Sequence, residues 1–107
     1  MTDNTQINSL LTQIKQATNY QINKRILKEK VDTDLCVTHN GGLFKVDMGL
    51  ITFLSIWDDD VLFITDTYDN PIKVDRLELL TLAKQQYQKV MNTWHIQHEE
   101  LKRARKV

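Results

Sequence analysis

The chain of 107 residues contains one cysteine, one proline and three glycines, and no long uninterrupted apolar stretch. The lone Cys36 excludes an internal disulfide and fits a reducing compartment, so cytoplasm is the expected location. No segment approaches the roughly 18 apolar residues of a membrane-spanning helix, and a membrane is not an expected partner. Residues 1–6 lack both the basic start and the apolar stretch of a secretory signal. Three glycines are too few for a phosphate-cradling loop or a dinucleotide fingerprint, and no G-x-S-x-G occurs. No serine or cysteine stands beside a plausible base. These absences argue against an enzyme, and no cofactor is expected.

What is present is ordinary for a folded domain: 41% hydrophobic and 26% charged residues, with zero net charge. The length suits one domain over residues 1–107, since two separate cores would each be too small to hold. The zero average conceals segregation. Residues 1–30 carry five basic against two acidic side chains, a net +3. Residues 31–75 carry two against nine, a net −7, and residues 76–107 seven against three, a net +4. An acidic centre repels nucleic acid, whereas the basic ends can attract it.

Ile7, Leu10, Leu11, Ile14 and Ala17 recur at three- and four-residue spacing, one apolar stripe on a helix over 5–18 that Asn4 or Thr5 can cap. Residues 19–30 fit either period; the alternation of Tyr20 and Ile22 favours an extended segment. From 34 to 74 the period becomes two. Residues 35–38 read as a strand, His39-Asn40-Gly41-Gly42 as a turn tolerant of positive φ, and residues 43–47 as the returning strand. Gly49 marks a bend, and residues 50–57 form a nearly continuous apolar run that reads as a strand covered on both faces. Asp58-Asp59-Asp60 turns the chain into a strand over 61–65, and Tyr68-Asp69-Asn70-Pro71 turns it into a last strand over 72–74. The expected fold is therefore α+β, with a strongly bent five-stranded antiparallel sheet or small barrel between an N-terminal helix and a long C-terminal one.

The second helix, over 76–105, has the clearest signature. Asp75 and Glu78 are spaced as a capping box, and Val74 and Leu79 as a hydrophobic staple. Leu80, Ala83, Tyr87, Val90, Trp94, Gln97, Leu101 and Ala104 then keep one seam. At 1.5 Å per residue such a helix is roughly 45 Å long, so part of it must meet a neighbour or project into water. Tyr87, Val90, Trp94 and Leu101 are accordingly candidates for an oligomer interface.

Cys36 and His39, with His95 and His98, offer four candidate zinc ligands, but the intervening spacing matches no finger and Cys36 suits a strand interior, so no metal site is expected. The Asp58-Asp59-Asp60 run lacks the alternate spacing of a calcium loop and suits a solvated tip. Two basic clusters remain. Lys102, Arg103, Arg105 and Lys106 complement the dipole at a helix end. Lys24, Arg25, Lys28 and Lys30 have no such local explanation and are candidates for phosphate contact.

The order of a short helix followed by five bent strands resembles the Sm-like (LSm/Hfq-type) proteins over about residues 5–74. Asn70-Pro71-Ile72-Lys73-Val74-Asp75-Arg76, running into Leu77-Glu78-Leu79-Leu80 and the later Trp94-His95, is similar in particular to a small Sm-like family attributed to cyanophages. The resemblance implies residues 34–74 as an Sm-like core, a homo-oligomeric ring, and RNA or single-stranded DNA as ligand, in the host cytoplasm if phage-encoded. His39 and Asn40 stand at its first ligand-binding turn. Asp59 or Asp60 occupies the second, where the family carries an Asn, and its Arg-Gly or Lys-Gly pair is absent, so the resemblance implies a fold and a ring more than uridine recognition. The expected role is a ring-forming nucleic-acid-binding accessory protein. The alternative is a phage structural or assembly protein acting through protein contacts.

Overall fold

The computed structural model describes residues 3–105, with side chains over 6–104. Among the described residues, three helices and two separate two-stranded antiparallel sheets follow one another. Helix α1 (Asp3–Asp34) leads to strands β1 (Cys36–His39) and β2 (Gly42–Lys45). Helix α2 (Met48–Ile56), strands β3 (Val61–Thr65) and β4 (Pro71–Asp75), and helix α3 (Arg76–Arg105) complete the chain. The α+β composition stands. The five-stranded sheet, and with it the Sm-like core expected over 34–74, is overturned: each hairpin pairs only with itself.

Two segments account for that difference. Residues 50–57 lie mostly in α2 rather than in a strand, and Gly49 stands in its first turn. Asp47 caps the helix, its Oδ1 accepting from the Leu50 N–H at 2.7 Å, and Leu54 is fully buried while Ser55 and Ile56 face out. Residues 19–30 continue the first helix unbroken, not as an extended segment. Nothing in residues 3–34 breaks a helix, as neither proline nor glycine occurs there. Tyr20, Leu27 and Val31 recur near heptad spacing and are the better-covered side chains of that helix. The side chains of Asn4 and Thr5, proposed as caps, lie outside the described residues.

Other local expectations hold. The β1–β2 hairpin closes through Asn40 (φ 50°) and Gly41 (φ 81°), a two-residue turn with both φ positive. Gly42 is required for a different reason: a Cβ there would stand 2.8 Å from the Ile72 side chain of the other hairpin. Asp75 Oδ1 accepts from the Glu78 N–H at 3.0 Å and starts α3. Val74 and Leu79, the expected staple, are both fully buried.

The hairpins are joined by side chains rather than by a ladder. Asp66, 7% exposed, accepts from the Tyr68 and Asn70 N–H groups through Oδ1 and from the Leu43 N–H, on the other hairpin, through Oδ2. Thr67 answers by donating twice to the Leu43 carbonyl, from its N–H and its hydroxyl. Arg76 ties α2 to α3: Nη1 donates to the Leu54 carbonyl at 2.9 Å and Nε to the Asp59 carbonyl at 3.0 Å. The first of these satisfies a carbonyl that the end of α2 leaves open. The core beneath is formed by Phe44, Val46, Leu54, Leu62, Val74 and Leu79.

From this plug α1 and α3 run side by side in opposite directions. Val31 and Leu35 bury against Val90, and Tyr20 shares a groove with Leu101 and Ala104, more than eighty positions later in the chain. The result is an elongated body of 75 × 24 × 19 Å. Among the described residues no helix is long and apolar enough to cross a membrane.

Leu54→Ala is expected to cost about 3 kcal/mol in urea unfolding, because a fully buried leucine on α2 leaves a cavity under both hairpins. Asp66 gives a pH signature. Its hydrogen bonds, chiefly from the Asn70 N–H, outweigh the desolvation that burial brings and hold its pKa below the ordinary carboxylate value. A depressed folded value means stability present above the unfolded pKa and lost as pH falls through the folded one. Wild type should therefore lose stability below about pH 4, and Asp66→Asn should flatten that acid limb of the urea midpoint.

Candidate nucleic-acid interface

Three of the four basic candidates share a face. Lys24 and Lys28 stand four apart on α1 and Arg25 three before Lys28, the spacing that makes helical neighbours. Together with Gln21 they form one wall of a shallow groove of about 270 Å³ whose other wall is Trp94 and His98 of α3. All three cations are exposed, and among the described residues none has an ion-pair partner. Trp94 is half-buried: it packs on the Val31–Leu35–Val90 cluster and shows its remaining surface to the groove. His95 continues that surface along α3 beside Met91 and His98.

Lys30 does not join them. It lines a second groove on the other flank of Trp94, with Lys89, Gln86 and Asp34. There the Gln86 amide also donates to the Asp34 carbonyl at 2.6 Å, closing the end of α1 onto α3.

His39 ends β1 and Asn40 opens the β1–β2 turn, and both are engaged in the fold. His39 is buried, and its Nε2 accepts from the Asp75 N–H at 3.2 Å. That N–H is the donor a reciprocal capping box would give to Glu78, so the histidine replaces half of the box. Asn40 donates from Nδ2 to the Lys73 carbonyl at 2.8 Å. Both side chains therefore hold one hairpin against the strand edge of the other. The seam on α3 is likewise used within the chain. Val90 is buried against α1, Tyr87 and Trp94 pack around it, and Leu101 meets Tyr20 across a groove. The neighbour that this long helix requires is α1.

Among the described residues no group of three or more His, Cys, Asp or Glu side chains converges as a metal site. Asp59 and Asp60 accept from Arg76 through their backbone carbonyls, and the Asp59 carboxylate accepts from Trp57 Nε1 at 3.4 Å. Cys36 is half-buried, its Sγ 3.9 Å from the Asp32 carbonyl.

Gln21 and His98 complete the groove and were not legible as site residues. Their only signal is helical register with the cations and with Trp94, which becomes visible once α1 is known to continue past residue 18. Comparison with protein-family models, curated proteins and solved structures finds no match to this chain.

His39→Ala is expected to lower stability by about 2 kcal/mol, since it strands the Asp75 N–H. It should leave ligand binding at the α1–α3 groove unchanged, which urea unfolding and a binding titration on the same variant will check.

Proposed function

We propose that the protein is a non-enzymatic nucleic-acid-binding protein that takes RNA or single-stranded DNA along the α1–α3 groove. The observation that carries this is the convergence of Lys24, Arg25 and Lys28, exposed and free of ion pairs, opposite Trp94 and His98. Cations without a structural partner are poised to neutralise phosphates and release counterions. An aromatic surface beside them offers a base something to lie against, whatever its sequence. The groove lies on the helical arm, while the acidic stretch of residues 31–75 is largely confined to the plug. A strand on the arm thus avoids most of the protein's negative charge. The ring implied by the resemblance presupposes the five-stranded Sm-like sheet, in whose place stand two separate hairpins.

Titration of a labelled single-stranded oligonucleotide tests the reading. Neutralising three phosphates on a single strand predicts an affinity that falls about twenty-fold between 50 and 200 mM salt. Replacing Lys24 and Lys28 by alanine should reduce that salt slope by about two-thirds, whereas Lys45→Ala on β2 should change nothing. Absence of binding at 50 mM salt sinks the proposal. Retention of a protein partner under nuclease treatment would then favour the assembly-protein alternative.

A further inference from the structure

Helix α1 outruns its partner. Leu101 and Ala104, in the last described turn of α3, stand level with Gln16, Tyr20 and Asn23. Among the described residues no helix lies alongside the first turns of α1, yet they carry the stripe of Ile7, Leu10, Leu11 and Ile14. These side chains are 51%, 56%, 58% and 54% exposed. A free helical segment of this length is marginal in water, and its apolar stripe adds the cost of hydrating four large side chains.

We propose that this stripe is covered by the same stripe of a second copy, the two α1 helices crossing antiparallel about a two-fold axis between Leu10 and Leu11. The pattern itself selects that occupant. Read from either end it is Ile-x-x-Leu-Leu-x-x-Ile, so reversal places Ile7 against Ile14 and Leu10 against Leu11 of the second copy. The intervening polar residues mirror as well: Asn8 with Gln13, both amides, and Ser9 with Thr12, both hydroxyls. An isologous contact needs this self-complementarity, and a contact with a different partner does not. Charge offers no obstacle. No ionisable side chain lies within residues 6–14, and antiparallel pairing sets the single Lys15 opposite Gln6. A parallel pairing would instead bring the two Lys15 side chains together.

Four partly exposed aliphatic side chains from each copy make a patch smaller than a standard interface of roughly 1,600 Å², so the dimer is weak and reversible. It would align two arms end to end, with a basic groove on each.

Sedimentation equilibrium without nucleic acid tests the proposal independently of ligand binding. From about 1 to 500 µM the mass should rise from 12.6 kDa toward twice that value. Leu10→Glu should hold it at the monomer value throughout, whereas Leu77→Glu, at an equally exposed leucine on α3, should not. Circular dichroism will check that both variants keep the folded plug. Orientation is read in a Cys36→Ser background. Ile7→Cys and Ile14→Cys chains should form a mixed disulfide with each other far faster than either forms one with itself. A wild type that stays monomeric, a Leu10→Glu variant that still dimerises, or equal self-crosslinking of the cysteine variants would each overturn it.

Discussion

A two-stranded hairpin is marginal in water, and this chain has two that share no strand pairing. What makes them one body is a carboxylate. Asp66 gathers the Tyr68 and Asn70 N–H groups of its own loop and the Leu43 N–H of the other hairpin, and Thr67 returns two bonds to the Leu43 carbonyl. A charged acceptor forms stronger hydrogen bonds than a neutral one, and it meets three donors in a nearly buried place. With that junction made, Gly42 can lie against Ile72, and the two hairpins share Phe44, Leu62 and Val74 as core. His39 and Asn40 secure the same seam from the turn, and Arg76 secures the end of α2.

The plug has a geometric consequence for the helices. α1 enters it and α3 leaves it on the same side, so they must run back along one another. The Gln86–Asp34 bond and the Val31–Leu35–Val90 cluster set where that pairing begins. Everything proposed about function descends from this register. It brings Trp94 and His98 level with Lys24, Arg25 and Lys28, and among the described residues it leaves the first turns of α1 uncovered. A shift of one turn would separate the aromatic surface from the cations. The same helix thus offers a basic face where it is paired and an apolar face where it is not.

Several parts of this arrangement were readable in the residues. Asp75 with Glu78, Asn40-Gly41, and the strands around residues 61–65 and 72–74 carry local signals, each settled within a few positions along the chain. The cluster of Lys24, Arg25 and Lys28 was readable as unexplained charge, though not its company. Lys30 belongs to the opposite flank, and His39 and Asn40 belong to the fold, because only contacts with Asp75 and Lys73 reveal what a turn histidine and asparagine bond to.

By itself, then, the sequence determined α3, its cap, both hairpin turns and the segregation of charge, since capping and turn chemistry act over three or four residues. The tertiary structure decided the rest. Residues 50–57 are apolar on nearly every face and so display no period; the Asp47 cap and the burial of Leu54 against the hairpins make them a helix. Residues 19–30 have too few apolar side chains to choose a conformation alone, and α3, some 60 to 80 positions later in the chain, supplies the surface on which Tyr20 and Val31 are buried. Periodicity records a boundary between core and water. Where a segment is apolar even on its solvent side, as at Ile56 and Trp57, or meets its partner only after the chain has folded back, that record is missing from the residues.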